Sequence, residues 1–207
     1  MIDKLLGKFS LKDVDIIERD TVFQGFTRLT KLLLRHRLFS GAWGQTIERE
    51  VFVRGDACAA ILYDPKSDVI GFIEQFRIGT LESEFGPWCL EVVAGMVEEG
   101  ESPEQVITRE LKEEAGIDSA ELIHITSYYS TPGACSEKIH LFCAVCDLEN
   151  REGVFGLEEE NEDILLHSYP SEEVFAVMFN SRLNNAATLI GLQWLQLHRS
   201  NLREVQS

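Results

Sequence analysis

The feature that most constrains this chain is a helix that carries its own start and stop signals. Ser102 is a favourable N-cap, and Pro103 follows at the first helical position, where its missing N–H costs no hydrogen bond. Gln105, at the third helical position, can close a capping box with Ser102, and Gly116 supplies a left-handed stop. The sequence therefore predicts a helix from about Pro103 to Ala115.

Two adjoining faces of this helix differ in chemistry. An apolar stripe with a spacing of four residues is formed by Ile107, Leu111 and Ala115. The adjoining face carries three glutamates, which are Glu110, Glu113 and Glu114. Like charges at this spacing repel, so the face is either solvated or neutralised by a bound cation. Carboxylate oxygens are the hard ligands that Mg²⁺ and Mn²⁺ prefer.

The residues around the helix follow one fixed spacing, G-x5-E-x7-R-E-U-x-E-E-x-G-U, in which U is a bulky aliphatic residue. The matching positions are Gly95, Glu101, Arg109, Glu110, Leu111, Glu113, Glu114, Gly116 and Ile117. This pattern is the Nudix box, and so many fixed positions make it a specific signal. The sequence therefore resembles the Nudix hydrolases. The resemblance implies an α/β/α sandwich around a mixed sheet and Mg²⁺-dependent cleavage of a nucleoside diphosphate linked to another group.

The resemblance also implies roles for the box residues. Glu110 and Glu114 would be the principal metal ligands, and the main-chain carbonyl of Ala94 would be a neutral one. Glu113 would be an additional or outer ligand, and Arg109 would orient the loop and the helix together with Glu101. We therefore expect Arg109 and Glu113 to act in catalysis.

A second segment, Tyr128–Glu137, narrows the resemblance. Taken alone, Pro132-Gly133 indicates a turn between strands. The segment is nevertheless similar to the proline marker of the ADP-ribose pyrophosphatases within the Nudix hydrolases. It departs from that marker at Thr131, which stands between Ser130 and Pro132 where the common form has Ser-Pro directly. The similarity covers the chain from about residue 13 to its end and includes the segments Arg49-Glu50, Ile73–Arg77, Leu90–Gly95, Gly156–Asp163 and Asn184–His198.

The acidic run Glu158–Asp163 has two interpretations. Without context, such a run is a solvated and mobile loop. A metal site still lacks a base for its water, however, and a loop that closes after substrate binding would supply one. The resemblance makes Glu160 the general base, with Glu159 as the near alternative, and makes Glu162 a further metal ligand.

The implied reaction is hydrolysis of ADP-ribose to AMP and ribose 5-phosphate with two or more Mg²⁺ ions, for which Mn²⁺ is a possible substitute. Arg77 and Arg49 would hold phosphate or ribose oxygens, since a guanidinium fork suits such acceptors. The other expected substrate contacts are Glu50, Glu137, Pro132 and Phe26, the last either stacking on adenine or packing in the core. Alternative substrates are another nucleoside diphosphate sugar, such as GDP-mannose, or a dinucleoside polyphosphate. A nucleotide-sensing regulator is disfavoured because the box is whole.

Charge and composition limit the partners. The chain has 35 acidic and 19 basic residues, a net charge of −16, which disfavours nucleic acid. No run of about 18 apolar residues occurs and the first residues lack the apolar core of a signal peptide, so we expect no membrane partner and a cytoplasmic location. The five cysteines, including the C-x-x-C pair Cys143 and Cys146, are expected to be buried free thiols rather than a redox or zinc site.

The chain divides into a small N-terminal antiparallel β domain, residues 1–54, and a Nudix hydrolase domain, residues 55–207. Three short strands make a sheet too small to be stable alone, so the first domain should pack on the rest or on a second copy. Members of the family pair as homodimers that exchange this region, which would bring Arg49 and Glu50 to the partner's site. In the second domain we predict a single strand at Trp88–Val93, a polar loop at Leu148–Gly156 and a last helix ending near Leu197.

Overall fold

The computed structural model describes residues 7–179 and 182–204. They form two compact units, a smaller one with residues 7–55 and 131–137 and a larger one with residues 56–130 and 138–204. Residues 1–6, which belong to the segment in which we expect no signal peptide, lie outside the described residues. In the described part of the chain, no helix is long and apolar enough to span a membrane.

The smaller unit is a three-stranded antiparallel sheet, ordered β1-β2-β3. Its strands are β1 (Val14–Gln24), β2 (Arg28–His36) and β3 (Ile47–Val53). β1 is one continuous strand with two register shifts, because bulges absorb the breaks in its pattern. Beside β3, the backbone N–H of Phe52 donates to the carbonyl of Ala134 at 2.8 Å.

This small sheet has little interior. On its three strands Thr30 is the single buried residue in the described structure. Several large apolar side chains of the unit are exposed, among them Ile16, Ile17, Val22, Phe23, Phe26 and Phe39. Three strands with so few buried residues are marginal on their own.

The larger unit is built on an eight-stranded mixed sheet. Its strands are β4 (Ala57–Asp64), β5 (Val69–Phe76), β6 (Trp88–Glu91), β7 (Val93–Met96), β8 (Glu121–Tyr129), β9 (Lys138–Val145), β10 (Gly153–Phe155) and β11 (Ile164–Pro170). The order is β10-β11-β5-β4-β9-β8, with the pair β4–β9 parallel and the other pairs antiparallel. Its helices are α1 (Pro103–Ala115), α2 (Ser171–Val177) and α3 (Ala186–Glu204).

Helices cover both faces of this sheet. On one face, Leu62 of β4 belongs to the same buried cluster as Leu111 of α1. On the other face, Ile61 packs in a cluster with Leu192 and Leu195 of α3. Successive strand residues point to opposite faces, so the complete burial of both Ile61 and Leu62 marks a strand covered on both sides. The predicted α/β/α sandwich is thereby confirmed.

The centre of the sheet splays open. β4 and β5 pair over only three residues, from Leu62–Gly71 to Asp64–Val69, and then diverge. β6 continues the sheet on β5, and β7 continues it on β4. The prediction of one strand at Trp88–Val93 was therefore wrong, because the chain changes partner at Val92.

Two further boundaries differ from the sequence-based prediction. The expected polar loop Leu148–Gly156 contains β10, which pairs with β11 at an edge of the sheet. The last helix continues beyond Leu197 to Glu204. Its extra turns are held by Arg199 and Arg203, which contact Asp68 at 3.6 and 3.0 Å.

Candidate active site

Helix α1 has the predicted ends. The Ser102 hydroxyl accepts from the N–H of Gln105 at 3.3 Å, and the Gln105 side chain accepts from the N–H of Ser102 at 2.8 Å. Gly116 ends the helix in the left-handed conformation, with φ of 62°. The predicted apolar stripe lies in the core, and two of the three glutamates, Glu110 and Glu114, are buried as well. Burial excludes the alternative of a wholly solvated acidic face.

Arg109 gathers three carboxylates. Its Nη1 lies 2.7 Å from Glu110 Oε1 and 3.1 Å from Glu113 Oε2, and its Nη2 lies 3.4 Å from Glu101 Oε2. The hydrogen bond to Arg109 holds the pKa of Glu101 below its usual value. Burial acts against the charge of Arg109, but its hydrogen bonds and charge interactions with these glutamates raise its pKa overall. The expected ordering of loop and helix by Arg109 thus has a geometric basis.

Glu114 reaches across to the neighbouring strand. Its Oε2 accepts a 3.0 Å hydrogen bond from the backbone N–H of Ala94 on β7. The N–H and C=O groups of one strand residue point to the same side, so the Ala94 carbonyl lies along the same edge as Glu114. Burial is the main cause that raises the pKa of Glu114 to about 8 and the pKa of Glu110 to about 7.

Gly95 is required by the close approach of Glu110. A Cβ added at Gly95 would collide with the carboxylate of Glu110, so no larger residue fits without displacing it. The glycine thus lets the carboxylate of Glu110 lie directly against the backbone of β7.

The donor set here fits a divalent cation. Glu110, Glu114 and the Ala94 carbonyl are hard oxygen donors, and the raised pKa values show that the buried negative charge is incompletely offset. Across residues 7–179 and 182–204, no three acidic, histidine or cysteine side chains by themselves form a metal-binding group. A metal at this point therefore needs a backbone oxygen or a further carboxylate from a neighbouring loop.

The acidic loop begins beside α1. The N–H of Gly156 donates to the carbonyl of Glu113 at 3.0 Å and fixes the start of the loop. Oε2 of Glu162 accepts from the N–H of Leu157 at 3.2 Å. The charge of Glu162 also contributes, after burial and other neighbours, to the raised pKa values of Glu110 and Glu114. The structure therefore brings Glu162 near the two buried glutamates.

Glu159 and Glu160 lie on a single 3-10 turn, Glu158–Glu160, and both are exposed. Among the described contacts, neither side chain reaches Glu110 or Glu114. The turn ends at Asn161, which adopts the left-handed conformation with φ of 55°. A role as base therefore requires the loop to move towards α1.

Arg77 lies just after β5. Its Nε is 2.7 Å from Oε2 of Glu91 on β6, and its side chain is 41% exposed. The positive charge of Arg77 is one of the influences that lower the pKa of Glu114, against the larger effect of burial. Arg77 therefore lies close enough to Glu114 to influence its pKa, and its role in substrate binding stays a prediction. Its partner Glu91 was not among the predicted site residues. A single acidic residue within an apolar strand was the available signal for Glu91.

The remaining predicted substrate residues lie in the smaller unit. Arg49 and Glu50 are exposed on β3, opposite Leu32 and Lys31 of β2. Glu137 is paired with Arg54 at 3.2 Å and has a side chain only 13% exposed. The other two, Pro132 and Phe26, lie in exposed turns. Core packing, one of the two alternatives for Phe26, is wrong, because this ring is fully exposed in the chain.

The cysteines are all free thiols. Four are buried and Cys135 is half-buried. Burial raises the pKa of both Cys143 and Cys146 to about 12, which keeps these thiols protonated. The expectation of buried free thiols is confirmed for every cysteine except Cys135.

Comparison with known proteins agrees with this geometry. Residues 53–186 match the NUDIX domain family. A crystal structure of an ADP compounds hydrolase superposes with a TM-score of 0.69 at 21% identity, covering 95% of this chain and all of that one. At this identity the superposition establishes a shared fold.

Two bacterial relatives are similar over nearly their whole length. The ADP-ribose pyrophosphatase of Haemophilus influenzae is 42% identical over 199 residues, which cover 95% of this chain and 92% of the relative. The ADP-ribose pyrophosphatase of Escherichia coli K12 is 40% identical over 201 residues, which cover 97% and 96%. The Nudix box is intact, the NUDIX domain model matches residues 53–186, and two relatives are similar over nearly their whole length. The chain therefore belongs to the Nudix family.

Proposed function

We propose that this protein hydrolyses the pyrophosphate bond of ADP-ribose to give AMP and ribose 5-phosphate. The observation that carries the substrate assignment is the near full-length similarity to two ADP-ribose pyrophosphatases. The buried pair Glu110 and Glu114 beside Ala94 supports the chemistry, because it concentrates oxygen ligands where Arg77 can meet phosphate.

The metal ligands in this proposal are Glu110, Glu114, the Ala94 carbonyl and Glu162. Two or more Mg²⁺ ions, or Mn²⁺ in their place, would offset charge on the pyrophosphate and make a water more acidic. Glu162 has to exchange its hydrogen bond with Leu157 for this role. Arg109 and Glu113 keep the helix and the box loop in register while the ligands engage.

Glu160 accepts the proton of the attacking water in this scheme, with Glu159 as the alternative. An exposed carboxylate on a short turn is free to move, and Gly156 fixes the start of the loop against α1. Closure of the loop after substrate binding would bring the base to the water and exclude bulk solvent.

The substrate contacts in this proposal are those that the resemblance implies. Arg77 and Arg49 bind phosphate or ribose oxygens through their guanidinium forks. The other contacts are Glu50, Glu137 and Pro132 near the ribose, and Phe26 stacking on the adenine. We propose that residues 1–54 form a dimerisation domain, exchanged between two copies, and that residues 55–207 form the hydrolase domain of a cytoplasmic homodimer. The exposed apolar side chains of the small sheet support a second copy.

A substrate panel tests the function. The purified protein is assayed in Mg²⁺ and in Mn²⁺ with ADP-ribose, GDP-mannose and a dinucleoside polyphosphate, and the products are identified by mass. ¹⁸O-labelled water shows which phosphorus is attacked. We expect the highest kcat/KM for ADP-ribose, with AMP and ribose 5-phosphate as products. A higher kcat/KM for GDP-mannose would replace ADP-ribose as the substrate, and inactivity of the parent would refute the hydrolase assignment.

A further inference from the structure

A polar chain runs from Arg77 to the start of the last helix. Oε2 of Glu91 contacts Nε of Arg77 at 2.7 Å, and Oε1 of Glu91 accepts from Nδ2 of Asn185 at 3.4 Å. Oδ1 of Asn185 accepts from the backbone N–H of Thr188 at 2.9 Å, so Asn185 also caps α3. Glu91 and Asn185 thus form a hydrogen-bonded link between the N-terminus of α3 and Arg77.

Glu91 occupies only one of the five N–H donors of Arg77. Within the described part of the chain, the four donors on the two Nη atoms contact no protein acceptor. These donors form the planar fork that binds phosphate oxygens in pairs. The Glu91 side chain is 15% exposed and that of Arg77 is 41% exposed. The anchoring carboxylate is therefore much less exposed than the arginine side chain that it holds.

The backbone of Arg77 is fixed as well. Its N–H donates to the carbonyl of Pro87 at 2.7 Å, and its carbonyl accepts from the hydroxyl of Thr80 at 3.0 Å. Because the backbone N–H and C=O of Arg77 are both hydrogen-bonded, only the side-chain torsions remain to be fixed. An arginine that is oriented before binding loses less conformational entropy when the ligand arrives.

We propose that Glu91, itself oriented by Asn185, is a positioning residue that aims the free fork of Arg77 at the phosphate oxygens of the substrate. Glu91 acts through Arg77 and need not touch the substrate. This role depends on the proposed function, because it requires Arg77 to bind substrate. It also gives a purpose to the segment Asn184–Thr188, for which the reaction itself supplied none.

A double-mutant cycle tests the coupling. The parent, Arg77→Ala, Glu91→Ala and the double variant are assayed for kcat and KM on the substrate that the panel identifies. We expect Arg77→Ala to lower kcat/KM by about 10- to 100-fold, the usual loss for a charge-assisted hydrogen bond. Glu91→Ala should lower kcat/KM by about 10-fold when Arg77 is present, with the same division between KM and kcat, and by less than about 2-fold when Arg77 is absent.

Conservative variants separate positioning from general stability. Glu91→Gln retains an acceptor for Nε of Arg77, so kcat/KM should stay within about 3-fold of the parent. Asn185→Asp retains the helix cap, since Asp and Asn cap equally well, but places a carboxylate against Glu91. We expect the melting temperature of this variant to stay close to that of the parent. Its kcat/KM should show part of the loss seen in Glu91→Ala.

Glu74 offers a matched control on the neighbouring strand. Its side chain is 20% exposed and pairs with Arg182 and His167, and the structure shows no contact between Glu74 and Arg77. Glu74→Gln should lower thermal stability about as much as Glu91→Gln while leaving kcat/KM within about 2-fold of the parent.

The outcomes decide the proposal. Equal losses from Glu91→Ala with and without Arg77 would overturn it, as would unchanged kcat/KM in Glu91→Ala. Unchanged kcat/KM in Arg77→Ala would overturn it too, while turnover of ADP-ribose by the parent would leave the proposed function standing. If Glu91→Ala fails to fold, Glu91→Gln and Asn185→Asp carry the test. Parent-like kcat/KM in Asn185→Asp would then refute the positioning role of Glu91 and Asn185.

Discussion

At the scale of single residues, burial separates the glutamates of the candidate site into two groups. Glu110 and Glu114 are buried and have raised pKa values, whereas Glu160 is exposed on a short turn. Buried carboxylates keep a fixed geometry suited to ligating a metal, and an exposed one can move to accept a proton. In the proposed mechanism, the same side chain would therefore serve two kinds of chemistry according to its surroundings.

Replacing the proposed base should remove catalysis and leave the fold intact. Glu160→Gln removes the proton acceptor, so kcat should fall by about 10²- to 10⁴-fold, the usual contribution of general base catalysis. Steady-state assays at saturating Mg²⁺ measure the fall, with Glu159→Gln as the matched control. A normal rate for Glu160→Gln together with a loss for Glu159→Gln would transfer the role to Glu159.

Replacing a proposed metal ligand should change the metal requirement. Glu114→Gln retains an oxygen for the Ala94 N–H but loses the charge that attracts Mg²⁺, so half-maximal activity should need about 10-fold or more Mg²⁺. Activity is titrated against Mg²⁺ for the parent, for Glu114→Gln and for the surface control Glu104→Gln. Superimposable titrations of parent and Glu114→Gln would remove Glu114 from the ligands.

At the scale of elements, the capped helix supports the whole site, because every proposed ligand lies on α1 or packs beside it. Ser102→Ala should lower the free energy of unfolding by about 1 kcal/mol, the usual value of an N-cap. For a protein of this length the melting temperature should then fall by about 2–4 °C. Differential scanning calorimetry measures the change, and Ser119→Ala, just after α1, is the control. Equal melting temperatures for Ser102→Ala and the parent would show that the cap contributes nothing.

The sequence predicted elements whose signals are local. The ends of α1 follow from Ser102, Pro103 and Gly116, each of which acts within one turn. It did not predict the break at Val92, because a change of hydrogen-bond partner depends on strands distant in the chain. For the same reason Glu91 was missed, since its partners Arg77 and Asn185 are 14 and 94 residues away.

At the scale of the whole molecule, the uncompensated charge of the site links stability to pH. Burial raises the pKa of Glu110 to about 7 and of Glu114 to about 8, above the value of about 4.3 for an unfolded chain. A carboxyl whose pKa is raised by folding makes its full contribution to stability at pH below its unfolded pKa, where it is protonated in both states. That contribution is lost as pH rises through the folded pKa.

The metal-free protein should therefore lose stability as pH rises from about 5 to about 8.5, and Mg²⁺ should restore it most at the higher pH. Melting temperatures in EDTA and in Mg²⁺ at several pH values measure both effects. The double variant Glu110→Gln/Glu114→Gln should show a much weaker dependence. An increase in melting temperature on adding Mg²⁺ that is the same at about pH 5 as at about pH 8.5 would contradict this linkage.

The splayed centre of the sheet has a consequence for changes in chain length. Glu91 is in register with β5 and Ala94 is in register with β4, with Val92 alone between the two paired segments. Removing or adding one residue there would turn the Ala94 amide and carbonyl to the opposite side, because the pattern of a strand repeats every two residues. The stretch from Trp88 to Met96 consequently has to keep its residue count if Ala94 is to stay in contact with Glu114.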